Sequence, residues 1–170
     1  MTTKFTPAQL RFFLNATLDD DRKAAGADKP AKTVLERFME FDLPDGLRYR
    51  TAVLKRNIKS ALAPTDMKIR DLYEAFQETV KDEGGEDEGK DGKPEDPEKA
   101  AARVETQKKV NEDIKQIEDE PIDFDGKLIL ATQLADPDHP LPEDLRAFLR
   151  IPGVYEEWLA PFTLDNLPEK

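Results

Sequence analysis

The stretch LRYRTAVLKRNIKSALAPTDMKIRDLYEAFQETV, residues 47–80, carries helical logic over a longer span than any other part of the chain. In its first half Leu47, Thr51, Leu54, Ile58 and Leu62 recur at helical spacing and share one face, with Ala61 beside it. Arg48, Arg50, Lys55, Arg56 and Lys59 are left elsewhere on the surface, and no acidic residue stands between positions 47 and 63. In the second half Ile69, Leu72, Tyr73, Phe76 and Val80 form the richest apolar stripe in the chain, wide enough to bury against a partner helix. Between the halves stands Pro64, which lacks a backbone donor and whose ring clashes with the preceding turn. The expectation is therefore a break, with a second helix restarting at Thr65-Asp66.

The segment that follows, KDEGGEDEGKDGKPEDPEK at 81–99, has nine acidic against four basic residues, four glycines and no apolar side chain. Its charge of −5 and lack of burial predict a disordered acidic loop. Helical periodicity returns at 100–118 with a narrow seam of Ala100, Val104, Gln107, Ile114 and Ile117. That helix is too polar to stand alone, and short connections join spatial neighbours, so it is expected antiparallel on the central stretch. The acidic loop becomes the hairpin tip, and the basic residues of 48–59 approach Glu112, Asp113 and Glu118 for intramolecular charge pairing.

Shorter elements flank this pair. Thr6, Pro7 and Gln9 spell a capped helix start, with Phe5 and Leu10 at the staple positions and Phe13 and Leu14 on the helix that follows, to about Leu18. Asp19-Asp20-Asp21 reads as the opening of a solvated loop over 19–29, since no further oxygen ligands follow at defined spacing. Thr33 and Glu36 form a second capping-box pattern leading into Leu35, Phe38, Met39 and Phe41, read as core, before Pro44-Asp45-Gly46 ends the helix. After Pro121 the period changes: Ile122 and Phe124 alternate with aspartates, Asp125-Gly126 is a turn pair, and Leu128–Leu130 is apolar, together predicting a small β-hairpin over 122–130. Asp123 and Asp125 lack the later carboxylates of a calcium loop. The single His139 stands in a proline-stiffened turn. Pro142-Glu143-Asp144 starts a helix with Leu145, Phe148 and Leu149, and Tyr155 and Trp158 follow in a further helical turn.

The fold class expected is mainly α: an antiparallel long-helix hairpin with short packed helices and one small β-hairpin. The 170 residues suit a single domain over 1–170, with 163–170 a frayed tail. A net charge of −11 and a pI of about 4.7 argue against general nucleic-acid or anionic-membrane binding. The absence of cysteine excludes disulfides, thiolate nucleophiles and thiolate metal sites. The opening MTTKFTPAQL has no apolar signal region, and no run approaches the length that spans a bilayer, so a soluble, unsecreted chain is expected. No phosphate-cradling glycine loop, nucleophile elbow or second histidine is present, so no enzyme, cofactor or metal is expected. The residues set apart for partner binding are Arg48, Tyr49, Arg50, Lys55, Arg56, Lys59, Tyr155 and Trp158.

Several of these parts together resemble a loose group of small proteins of tailed phages and prophages. They are Arg48-Tyr49-Arg50-Thr51 opening a long helix, Lys55 in its next turns, Leu72-Tyr73-Glu74-Ala75-Phe76 near its end, a polar glycine-containing loop, a returning polar helix and the acidic-to-strand step from Glu118 to Phe124. The resemblance spans roughly 45 to 130. It implies an accessory or late-module factor in a viral setting, without an active site. The function expected is protein–protein binding, to a virion or assembly component or to a host factor, in the host cytoplasm or the virion. An acidic nucleic-acid mimic that inhibits a host DNA-binding defence enzyme is the alternative, motivated by 81–99 with Glu112, Asp113, Glu118, Asp119, Glu120, Asp123 and Asp125. Direct nucleic-acid contact through the basic residues of 48–59, with Tyr49 stacking, would require strong charge segregation.

Overall fold

A computed structural model describes residues 3–25, 30–83, 97–124, 129–130, 134 and 141–164. The chain is mainly helical, with the elements β1 (Thr3–Phe5), α1 (Pro7–Asn15), α2 (Asp19–Ala25), α3 (Val34–Glu40), α4 (Asp45–Glu83), α5 (Pro97–Asp119), β2 (Ile122–Phe124), β3 (Ile129–Leu130) and α6 (Glu143–Leu149). A π-helical segment (Val154–Leu159), a 3₁₀ turn (Ala160–Phe162) and β4 (Thr163–Leu164) follow.

Both predicted capping boxes form. The Thr6 N–H donates to Gln9 Oε1 at 2.9 Å and the Gln9 N–H to Thr6 Oγ1 at 3.2 Å. Thr33 and Glu36 repeat the exchange at 2.8 and 3.1 Å. Each box satisfies two donors that a helix start leaves orphaned. The aspartate triplet is not a loop: Asp19, Asp20 and Asp21 fill the first turn of α2, where their charge complements the helix dipole, and Arg37 holds Asp21 at 3.1 Å.

α4 is one helix of 39 residues running through Pro64, where a break was expected. Pro64 and Ser60, whose carbonyl loses its partner, are both exposed, so the freed acceptor lies on the solvent side of the helix. Leu62 and Thr65, buried on the opposite side, hold both flanks of the proline in the packing. Leu47, Thr51, Leu54, Ile58 and Leu62 are all buried, the face read from their spacing.

The second half of α4 departs from the sequence reading. Ile69, Leu72, Phe76 and Val80 are only half-buried, Tyr73 is 43% exposed, and none of them joins the core. They and α5 make a two-helix arm whose antiparallel sense is marked by the Arg11 guanidinium, which grips Asp66 in mid-α4 and Glu118 near the end of α5. Among the described side chains of α5 only Val110 is buried, while Val104, expected in the seam, is 56% exposed. The less exposed positions Arg103, Gln107, Val110, Ile114 and Ile117 repeat at helical spacing on a line that leaves Val104 outside it. Helix persists at 81–83 and 97–99, inside the segment read as disordered, and 84–96 lies outside the described residues.

The small antiparallel sheet pairs β2 with β1 rather than with 128–130: Thr3 faces Phe124 and Phe5 faces Ile122. The predicted turn at Asp125-Gly126 lies outside the described residues. Ile129–Leu130 instead pairs in parallel with Thr163–Leu164, two residues that had been assigned to the frayed tail. The core these strands close is aromatic. Phe5 stacks on Phe162 at 4.8 Å, Phe13 stacks on Trp158 at 4.8 Å, and Phe38 meets Trp158 edge-on at 5.4 Å. Leu35, Leu54, Ile58 and Leu145 fill the space around them.

Candidate functional site

The end of α6 shapes a concave part of the surface. Ile151-Pro152-Gly153 cannot continue the helix, and Gly153 takes the left-handed conformation with φ of 84°, which favours glycine. A Cβ placed there would meet the Glu157 carboxyl at an ordinary 3.6 Å, so the demand for glycine comes from the backbone angle and not from crowding. The chain then winds as a π-helix, a rare form enriched at functional sites, with the Trp158 N–H donating to the Gly153 carbonyl at 3.1 Å.

Two open clefts meet at this Pro152-Gly153 ridge. The first, about 540 Å³, lies between α1, Arg22 and the π-helical segment, with Phe12 and Leu18 as its apolar surface over the buried Val34 and Trp158, and Arg11, Asn15 and Glu157 around it. The second, about 660 Å³, is lined by Leu134, Leu141, Leu149 and Ile151, with Arg146, Arg150 and Tyr155 at its rim. Phe12 is 46% exposed in the first and Tyr155 41% in the second. Arg22 Nε donates to Thr17 Oγ1, and Arg11 is committed to Glu118 and Asp66. The lining supplies apolar surface, two aromatic faces and guanidinium groups, which is the chemistry of peptide recognition.

The eight residues singled out in the sequence are distributed over three places. Arg48, Tyr49, Arg56 and Lys59 lie on the outer face of α4, Tyr49 being 66% exposed, while Arg50 and Lys55 flank that face half-buried. Arg48 Nη2 donates to the Phe41 carbonyl at 3.0 Å, and Lys55 stands over a shallow hollow of about 420 Å³ with Glu36, Met39 and Glu40. Glu36 is held below the ordinary glutamate pKa, chiefly by the Thr33 backbone and hydroxyl hydrogen bonds, with smaller help from Lys55 and Lys32. Tyr155 rims the second cleft. Trp158, set apart as an anchor for a partner, is 1% exposed and belongs to the core.

Among the ion pairs of the described residues, none joins Arg48, Lys55, Arg56 or Lys59 to the acidic end of α5, where Glu118 is bound by Arg11. Arg11 was not legible in the sequence, because its two partners stand 55 and 107 positions away. Of the acids considered as a phosphate mimic, Asp125 and most of 81–99 fall outside the described residues, and Glu112, Asp119, Glu120 and Asp123 are exposed. His139 is also outside them.

Among the described residues no group of three or more His, Cys, Asp or Glu side chains is arranged to hold a metal ion. No helix among them is long and apolar enough to cross a membrane. Compared with family models, with curated proteins and with solved structures, the chain matches none.

Proposed function

We propose that this chain is a non-enzymatic accessory protein of a phage or prophage that works by binding another protein, a virion or assembly component or a host factor. The observation that supports it is the placement of Phe12 and Tyr155, two large aromatics left exposed at two clefts on either side of one ridge. Scattered exposed aromatics are ordinary, but aromatics framing concave apolar surface are what binding anchors look like. Arg146 and Arg150 beside Tyr155 favour a partner segment that carries a carboxylate next to its apolar side chains. The viral setting, in the host cytoplasm or the virion, rests on the resemblance over residues 45 to 130.

The experiment is affinity capture from phage-infected cells with cross-linking, run on the natural chain and on a Phe12→Ala/Tyr155→Ala variant. The reading expects a protein that the natural chain captures and the variant does not, at equal melting temperature. Capture of the same proteins by both would remove the clefts from the account.

A further inference from the structure

The outer face of α4 carries a second, separate surface. At 100° per residue, Tyr49, Ala52, Arg56, Lys59, Ala63, Met67, Arg70, Glu74 and Glu78 fall on one side of the helix, and every one is exposed. The core packs on the opposite side through Leu54 and Ile58, and α5 packs there too, against the half-buried Ile69, Leu72 and Phe76. This face is therefore open along its length.

Its charge is segregated. The first half is basic through Arg56 and Lys59, the middle is Ala63 and Met67, 56% exposed, Arg70 next to it is paired with Asp71 and Glu74 of its own helix, and the far end is acidic through Glu74 and Glu78. Arg56 and Lys59 form no ion pair among the described residues, and Glu74 has only the exposed Arg70 of its own helix at 3.6 Å. Arg56 and Glu78 are about 33 Å apart along the helix, several screening lengths at physiological salt, so the two ends cannot neutralise each other within one molecule. An extended phosphate backbone laid on the basic half would meet Glu74 and Glu78.

The pattern is self-complementary instead. When α4 is laid antiparallel on a copy of itself with a two-fold axis at Met67, Arg56 faces Glu78, Lys59 comes within one residue of Glu74, Arg70 comes beside Ala63 and Met67 faces its counterpart. The symmetry makes each pair occur twice, as in an isologous interface. We propose that two copies of this chain associate through the outer faces of their α4 helices in this antiparallel register. A strip about 39 Å by 10 Å covers roughly 400 Å² per copy, half of a standard interface, so the pairing is reversible and sensitive to salt.

Sedimentation velocity on the full chain tests it. Between about 50 mM and about 500 mM salt the screening length shrinks from about 14 Å to about 4 Å, and the dimer should weaken at least about tenfold. Each exposed pair is worth roughly a factor of three, so Arg56→Glu/Lys59→Glu, which removes four, should weaken the dimer about a hundredfold. Glu74→Lys/Glu78→Lys should do the same, and mixing the two variants should restore a heterodimer, since a face acidic at 56, 59, 74 and 78 then meets one basic at the same four positions.

In this cysteine-free chain, Met67→Cys should cross-link to its own copy under mild oxidation. Ala52→Cys should not, because an antiparallel pair holds the two copies of residue 52 about 45 Å apart. A natural chain that stays monomeric at low salt would overturn the proposal. So would a dimer indifferent to the charge reversals, or Ala52→Cys cross-linking as readily as Met67→Cys. None of these results bears on capture through Phe12 and Tyr155, which lie on other elements.

Discussion

The indole of Trp158 donates a 2.8 Å hydrogen bond to the Phe13 carbonyl while the two rings lie parallel, their centroids 4.8 Å apart. Phe13 sits in the last turn of α1, where a carbonyl has no intrahelical partner, so one side chain both satisfies a buried acceptor and fills the core. This contact ties the π-helical segment, and with it the ridge between the two clefts, to α1. Trp158→Ala should cost about 3–5 kcal/mol, and Trp158→Phe, which keeps the stack but orphans the carbonyl, about 1–3 kcal/mol. Denaturant unfolding of both variants checks the order and the gap.

Arg11 joins three helices through Asp66 and Glu118, and all three side chains keep some contact with water. After discounting for screening, Arg11→Ala should cost only about 1 kcal/mol globally. Its larger effect should be local, as faster amide hydrogen exchange near the C-terminal end of α5. Arg11→Lys should not restore protection, because an ammonium lacks the fork that spans two carboxylates.

The Thr33–Glu36 capping box makes a small part of stability depend on pH. Glu36 is depressed in the folded chain, so its contribution is complete above the ordinary glutamate pKa of 4.5 and is lost as pH falls through the lower folded value. Glu36→Gln retains an acceptor for the Thr33 N–H but does not titrate. It should therefore flatten the fall of melting temperature on acidification, while Thr33→Ala should cost about 1 kcal/mol at neutral pH.

Pro64 costs α4 a hydrogen bond and a clash at an exposed position. Pro64→Ala should raise stability by about 1–3 kcal/mol in a thermal melt. A loss of stability would mean that α4 needs the proline's geometry.

The parts of the fold that the sequence disclosed are those whose causes are local. Thr6 with Gln9 and Thr33 with Glu36 act across three residues, and the spacing of Leu47 to Leu62 is a property of one helix. The pairing of β2 with β1 is set by strands more than a hundred residues apart, and no local pattern encodes it. Pro64 misled because proline propensity is a local penalty that burial of Leu62 and Thr65 on either side overrides. Of the candidate site, Tyr155 was legible as an aromatic set apart for partner binding, whereas Phe12 is one of several apolar residues in α1 and nothing in its spacing marks it out. Its exposure follows from where α1 crosses its neighbours.

The apolar stripe of residues 69–80 and the apolar face of 47–62 look alike in sequence, yet only the second lies in the core. The most direct test is the pair of substitutions Leu54→Ala and Phe76→Ala, measured side by side in equilibrium unfolding. Leu54 is fully buried, so its truncation should cost about 3–5 kcal/mol, whereas Phe76, half-buried in the arm, should cost no more than about 1.5 kcal/mol. Equal losses would contradict the division of α4 into a core half and an arm.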